Sequence, residues 1–213
     1  MVSTTGSAFQ LSIEISATMA FALSGVIAGA QKRLDAFGVF VVAGVAAFGG
    51  GTLRDVLLDR RPFFWVEHAN WLWLLILLCL LAMTFMRRQH IPVTVRAIQF
   101  PDALGLGLFT ALGTQIALDM HMPVIVCVLM GVVTAVFGGV LRDVFCNELP
   151  KAFYDHQPYA VIAFIGSLMV VILNMLQLSQ ALSVFLPATL MCGFRVVAIH
   201  QAWRLPSWQI EHN

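Results

Sequence analysis

Seven long apolar stretches, separated by short polar connectors, dominate the hydrophobic pattern of this chain. An α-helix rises about 1.5 Å per residue, so roughly 20 apolar residues are needed to cross a bilayer core about 30 Å thick. Each stretch is close to that length. We therefore predict an all-α polytopic membrane protein with seven transmembrane helices, at residues 9–30, 35–58, 69–86, 98–118, 122–146, 158–177 and 181–203.

The composition supports the same class of protein. Hydrophobic residues make up 60% of the chain and charged residues 11%, and the mean hydropathy is +0.88, which is outside the range of a soluble domain. The net charge of +1, with basic residues mainly beside the apolar stretches, argues against a nucleic-acid partner. Neither a phosphate-binding glycine loop nor a hydrolase motif is present, so we predict neither an enzyme nor an ATP-driven pump. The cysteines and histidines lack ligand spacing, and no cofactor or metal is predicted.

A glycine-rich motif that ends in Arg-Asp occurs twice. Residues 48–55 read FGGGTLRD, and residues 137–143 read FGGVLRD. Arg54 and Arg142 lie 142 − 54 = 88 positions apart, and the same offset aligns a gap-free run from Gly25 to Pro62 with a second run that ends at Pro150. We predict an internal duplication with units at 9–90 and 98–177, followed by a separate seventh helix at 181–203.

The duplicated units are predicted to have opposite orientations in the membrane. Each contains three spans, an odd number, so the second unit must begin on the other side and the two form an inverted repeat. Of the Lys and Arg residues in the connectors and the tail, only Arg60 and Arg61 lie on the side of the N-terminus. The positive-inside rule therefore places the N-terminus outside and the C-terminus in the cytoplasm. The basic residues of the predicted cytoplasmic side are Lys32, Arg33, Arg87, Arg88, Arg96, Lys151 and Arg204.

Glycines interrupt the second predicted helix of each unit, at Gly49, Gly50 and Gly51 and again at Gly138 and Gly139. Each interior glycine costs about 1 kcal/mol of helix propensity relative to alanine. We therefore predict that both helices are broken at these positions. Freed carbonyl groups at membrane depth need protein, water or a cation as a partner, which is typical of a permeation path. Close packing between helices is the alternative explanation.

Charged residues follow each glycine cluster. An arginine at the centre of a span costs about 2.5–3.5 kcal/mol, and such residues usually line a cavity or form internal pairs. Adjacent helix residues point about 100° apart, so we predict pairs across the repeat axis, Arg54 with Asp143 and Arg142 with Asp55. Snorkelling of Arg54 to the membrane interface is the alternative.

Three further charged residues lie within the apolar stretches. Glu14 and Asp102, which the 88-residue offset also aligns, are candidate pore-mouth charges that would attract cations. A carboxylate near a helix start is also favoured by the helix dipole, which is the simpler explanation. Arg195, in the last stretch, is expected to snorkel to the cytoplasmic interface, and lining a path or a lipid headgroup site is the alternative.

With these motifs the chain resembles the bacterial members of the trimeric intracellular cation (TRIC) channel family, and it is also similar to a domain family known as bacterial glycine transporters. The resemblance rests on the plan of three, three and one spans and on the two Gly-Gly-x-x-Arg-Asp motifs, and it extends from about Glu14 to Arg204. It implies a homotrimer in the bacterial inner membrane, in contact with lipids. Each protomer would conduct monovalent cations, chiefly potassium and alternatively sodium, along its own path between helices bent by the glycines.

The second motif departs from the first. Phe137 aligns with Gly49 and Val140 with Thr52, so the second cluster has only two glycines and a gentler bend is expected. Two functions fit these features: a cation channel with a continuous wet path, or a secondary transporter of a small neutral amino acid such as glycine. In a transporter, Arg54 or Arg142 would bind the substrate carboxylate. A purely structural membrane protein would leave the duplicated Arg-Asp pairs unexplained.

Overall fold

The computed structural model describes residues 4–89, 95–154, 157–204 and 206, and the regular structure within these ranges is helical. Residue 90, the end of the predicted first unit, lies outside the described residues. The helices, in chain order, are α1 (Thr4–Gln31), α2 (Ala36–Leu57), α3 (Phe64–Glu67), α4 (Asn70–Gln89), α5 (Val95–Asp119), α6 (Val124–Phe145), α7 (Lys151–Tyr154), α8 (Ala160–Met175) and α9 (Gln180–His200).

Each of the seven predicted spans coincides with one long helix. Within the described ranges α1, α2, α6 and α9 are both long and apolar enough to cross a membrane, and α4 and α8 contain shorter apolar segments. The structure thus supports a helical protein with several membrane spans. The four-residue helices α3 and α7 were not predicted; both lie in connectors that follow the Arg-Asp motifs.

The Arg-Asp pairs lie in the last turns of α2 and α6. Two residues beyond the end of each helix, Asp59 and Asn147 adopt the left-handed backbone conformation. The next backbone N–H then turns back, and Arg60 donates to the Asp55 carbonyl at 2.8 Å while Glu148 donates to the Asp143 carbonyl at 2.9 Å. This hydrogen bond closes the end of a helix. Because both helices end in the same way, the backbones of the two Arg-Asp pairs occupy equivalent positions at the helix ends.

Four helices form the centre of the fold. α5 packs against α1 and α6, and α2 packs against the same two helices. α8 and α9 cover one side of α5, whereas α4 packs against the edge formed by α1 and α2. Phe21 of α1 stacks on Phe109 of α5 with ring centroids 5.6 Å apart. These two residues are themselves 109 − 21 = 88 positions apart, so equivalent residues of the two units contact each other at the centre.

A surface ion pair joins the end of α1 to the connector after α6. Lys32 Nζ lies 2.7 Å from Glu148 Oε1. The hydrogen bond between them raises the pKa of Lys32 above 10.5 and lowers the pKa of Glu148 below 4.5. A depressed carboxyl pKa in the folded state means that the pair stabilises the fold above the ordinary glutamate pKa, and that this contribution is lost as the pH falls through the folded-state pKa.

We expect Glu148→Gln to lower the thermal unfolding midpoint by no more than a few degrees at pH 7, because both partners are exposed to solvent. The difference from the native protein should shrink as the pH is lowered through the depressed folded-state pKa of Glu148, because the native carboxylate is then also protonated. Lys32→Gln serves as the matched control and should show the same loss at pH 7. Equal differences at both pH values would contradict this account.

Candidate functional site

The first charged cluster consists of Glu14, Arg54 and Asp55. Arg54 is fully buried at the end of α2, where its Nε donates to Asp55 Oδ1 at 2.8 Å and its Nη2 to Glu14 Oε1 of α1 at 2.8 Å. The backbone N–H of Phe64, in α3, donates to Asp55 Oδ2 at 3.2 Å, and the Phe64 ring lies 5.6 Å from the guanidinium carbon. Three helices thus converge on one buried guanidinium.

The second charged cluster consists of Asp102, Arg142 and Asp143 and repeats this connectivity. Arg142 Nε donates to Asp143 Oδ1 at 2.9 Å, and Nη1 donates to Asp102 Oδ1 at 2.6 Å. The backbone N–H of Lys151, the first residue of α7, donates to Asp143 Oδ2 at 3.0 Å. In both clusters the arginine and its distant carboxylate are 40 residues apart.

The predicted ion pairs across the repeat axis are wrong. Arg54 pairs with Asp55 and Glu14, and Arg142 pairs with Asp143 and Asp102, each within its own unit. The angle of about 100° separates the Cα–Cβ bonds of neighbouring residues, whereas the long arginine side chain can fold back towards the next residue. Snorkelling does not describe Arg54 either, since its side chain is fully buried within the protein.

The predicted breaks in the glycine-rich helices are also wrong, because α2 and α6 continue through both clusters. A Cβ atom on Gly50 would collide with the Thr134 carbonyl oxygen of α6, and one on Gly138 would collide with the Ala46 carbonyl oxygen of α2. Thr134 lies 134 − 46 = 88 positions after Ala46, so the contacts are reciprocal between the two units. Close helix packing therefore accounts for Gly50 and Gly138.

The other three glycines of the motifs face side chains. A Cβ on Gly49 would lie 2.7 Å from Leu141 Cδ1, and one on Gly51 would lie 2.5 Å from the Phe64 ring. The position equivalent to Gly51 is Gly139, where a Cβ would lie 3.0 Å from the Tyr159 hydroxyl instead. The surroundings of the two clusters therefore differ in spite of their common connectivity.

Ser24 of α1 links the second cluster to the first unit. Arg142 Nη1 also donates to Ser24 Oγ. The equivalent residue of the second unit is Leu112, which cannot accept a hydrogen bond, and Arg54 Nη1 has no hydrogen-bond partner among the residues that the structure describes. Glu14 and Ser24 are 24 − 14 = 10 residues apart on α1, which corresponds to about 15 Å along the helix. The two clusters thus lie towards opposite ends of α1.

Each cluster borders a cavity, and the two cavities differ greatly in size. The first has a volume of about 360 Å³, and its lining includes the polar residues Glu14, Glu67 and His68. The second has a volume of about 10 Å³, enough for about one water molecule, and Asp102 and Arg142 form part of its wall. Glu14 and Asp102 thus line equivalent cavities, one wide and one narrow.

The ion-paired groups of each cluster are two carboxylates and one guanidinium, which have a formal charge of −1. At the second cavity, Lys151 and the buried Arg195 add two positive charges. Arg60 adds a weaker contact, since its Nη1 lies 3.8 Å from Asp55 Oδ1 and its side chain is 36% exposed. A buried site with excess negative charge favours a cation and disfavours a second anion. Within the described ranges no group of three or more His, Cys, Asp or Glu side chains is arranged to hold a metal ion.

Sequence reasoning missed Ser24, Phe64, Lys151 and Tyr159. Phe64 and Lys151 contribute backbone N–H groups, which any residue type except proline can supply, so their identity carries little signal. The aligned Pro62 and Pro150 were the available sign that both connectors have a defined structure. Ser24 and Tyr159 lie in apolar stretches where one hydroxyl does not stand out.

Comparison with known proteins adds independent information. The sequence model of a family described as Glycine transporter matches the chain twice, over residues 11–87 and 99–175, so the matches begin 99 − 11 = 88 positions apart. The UPF0126 inner membrane protein YadS of Escherichia coli K12 is 32% identical over 205 residues, which cover 94% of this chain and 97% of that protein. A UPF0126 membrane protein of Vibrio cholerae is 36% identical over 162 residues; these cover 73% of this chain and 64% of that relative, less than two thirds of its length.

The fold is also similar to solved structures of cation channels. The TRIC trimeric intracellular cation channel orthologue from Rhodobacter sphaeroides superimposes with a TM-score of 0.85 at 27% sequence identity. The superposition covers 92% of this chain and 99% of that channel. The matched structures are channels and not enzymes.

Proposed function

Because the chain belongs to the family described as Glycine transporter, and its fold is that of TRIC cation channels, we propose that it is a cation channel. The relatives and the apolar helices support a multi-pass protein of a bacterial inner membrane. The observation that carries the channel proposal is the excess of one carboxylate over guanidinium in the first buried cluster, which borders the wide cavity. This site would attract cations into one end of a path.

We place the conduction path inside one protomer, from the wide cavity at the first cluster to the narrow cavity at the second. The clusters lie about 15 Å apart along α1, and each borders a cavity. Glu14 and Asp102 would serve as charges at the two mouths. Five glycines would line the path without breaking the helices. Gly49, Gly50 and Gly138 set the close spacing of α2 and α6, whereas Gly51 and Gly139 leave room for Phe64 and Tyr159.

The proposed topology is an inverted repeat of three and three spans with α9 as the seventh. Reciprocal contacts support a two-fold relation between the units, because equivalent residues such as Phe21 and Phe109 touch. The helix ends also meet as inversion requires. Gln10, near the start of α1, donates to Asp119 Oδ2 at the end of α5 at 2.6 Å, whereas the other end of α1 is joined to the connector after α6. The distribution of basic residues then favours an outside N-terminus and a cytoplasmic C-terminus.

We propose that the permeating ion is monovalent, chiefly potassium, and that the protein is a homotrimer surrounded by lipid. A formal charge of −1 balances one monovalent cation and holds it weakly enough for release, as conduction requires. The Rhodobacter sphaeroides relative is named as trimeric, which supports the same assembly here. Exposed apolar side chains such as Phe37 offer contacts to lipid or to neighbouring protomers.

The family description keeps a glycine transporter as the second candidate. In that mechanism Arg54 or Arg142 would bind the carboxylate of glycine. Each guanidinium already contacts two carboxylates, however, and a third would add a buried negative charge. The geometry therefore favours the channel.

Currents through the purified protein in planar bilayers with potassium salts test the proposed function. We expect discrete unitary currents that reverse near the potassium equilibrium potential. Glu14→Gln and Asp102→Asn should each lower the cation-to-anion permeability ratio roughly three- to tenfold, since each removes one charge at a mouth of the path. Glu148→Gln makes the same change of charge at an exposed residue and should leave the ratio unchanged. Silent bilayers together with saturable glycine uptake by proteoliposomes would establish the transporter instead.

A further inference from the structure

The narrow cavity contains a residue that has no counterpart in the wide one. Arg195 lies on α9, which follows the two matched units, and it lines the second cavity together with Arg142 and Tyr159. The expectation that Arg195 snorkels is wrong, because the residue is only 3% exposed. The seventh helix therefore brings a buried cation to one end of the proposed path.

Arg195 contacts the segment that leads into α8. Its guanidinium carbon lies 4.9 Å from the centre of the Tyr159 ring, and its Nη1 donates to the Pro158 carbonyl at 3.4 Å. A guanidinium over an aromatic face is attracted to the ring, and more strongly when both groups are removed from water. Arg195 thus holds both the ring and the backbone beside it.

Tyr159 in turn occupies the space in front of the second cluster. Its hydroxyl lies 3.0 Å from the Cβ position of Gly139, and Asp102 Oδ1 and Arg142 Nη2 lie 3.5 and 3.7 Å from the same point. With Tyr159 in place, the cavity of about 10 Å³ has room for about one water molecule. A hydrated cation needs more space, so Tyr159 must move before an ion can pass Gly139.

We propose that Arg195 is a positioning residue that holds Tyr159 across the narrow cavity and thereby sets how often the path opens at the second cluster. The inference rests on the proposed channel function. It gives α9, which belongs to neither duplicated unit, the role of holding an aromatic ring across one cavity. In the first unit the residue equivalent to Tyr159 is Trp71, which instead stacks on His68 with ring centroids 5.1 Å apart. The wide cavity would stay accessible while the narrow one opens and closes.

Single-channel recording of Arg195→Met in planar bilayers tests the inference. Methionine keeps a long side chain but loses the charge, so Tyr159 should leave the cavity more often. We expect the open probability to rise roughly two- to tenfold, as for the loss of a buried cation–π contact, with the unitary conductance unchanged. Arg204→Met, an exposed arginine beyond the end of α9, is the matched control and should behave like the native protein.

Tyr159→Leu provides a second test, because it removes the ring that the Arg195 guanidinium contacts and that fills the space in front of Gly139. Its open probability should also rise, and this variant decides whether the ring closes the cavity if Arg195→Met does not fold. If the native protein carries no current, the proposed function itself fails. If the native protein conducts but both variants keep its open probability to within about twofold, the role of Arg195 is refuted while the channel function stands.

Discussion

Replacing Arg54 with leucine is expected to lower the free energy of unfolding by about 3–5 kcal/mol. The change leaves the Glu14 and Asp55 carboxylates buried without the guanidinium that both contact. Breaking a buried ion pair from one side is costly because the remaining charge cannot regain its hydration. Reversible unfolding in detergent, followed by circular dichroism, measures the loss.

Arg60→Leu is the matched control, because Arg60 also lies near Asp55 but at 3.8 Å and with a partly exposed side chain. The same substitution there should cost less than about 1 kcal/mol. The double variant Arg54→Leu with Glu14→Leu should be more stable than the sum of the single changes implies, since the second substitution removes one of the two stranded charges. Additive effects, or a loss at Arg54 as small as that at Arg60, would show that the cluster is not an energetically coupled unit.

Adding one methyl group at the crossing of α2 and α6 should also lower the free energy of unfolding strongly. Gly50→Ala and Gly138→Ala each place a Cβ atom against a backbone carbonyl oxygen of the other helix, which cannot rotate away as a side chain can. We expect each to lower the unfolding free energy by about 1–3 kcal/mol, the usual cost of overpacking. If the path follows this crossing, the unitary conductance should change as well.

Gly193→Ala is the control for the effect of alanine on the helix itself. Gly193 lies within α9, and apart from the adjacent backbone of the same helix no heavy atom that the structure describes lies within 4 Å of its Cβ position. Alanine there should stabilise the helix by up to about 1 kcal/mol, so the sign is opposite to that at the crossing. Three changes of the same sign would mean that helix propensity, and not the approach of the two backbones, decides the role of these glycines.

The positions of the long helices and the duplication were available from the sequence. In a bilayer every backbone polar group needs a hydrogen-bond partner inside the protein. An apolar stretch of about 20 residues meets this requirement by forming a helix. All seven predicted stretches do so. The offset of 88 also shows that the charged residues are repeated. Buried charges in such helices are costly and therefore rare, so Arg54 and Arg142 are identifiable from the sequence as candidate site residues.

Only the tertiary structure decided which of these residues meet. Glu14 and Arg54 are 40 residues apart, and nothing in their local sequence distinguishes this pairing from the predicted one with Asp143. The predicted breaks at the glycines were wrong for a related reason. Helix propensity measured in isolated helices predicts a break, whereas close packing against a second backbone keeps α2 continuous. The closure of one cavity by Tyr159 and Arg195 likewise depends on how α8 and α9 pack. The length of an apolar stretch determines which segments are helical, but contacts between helices depend on side-chain reach and backbone separation in three dimensions.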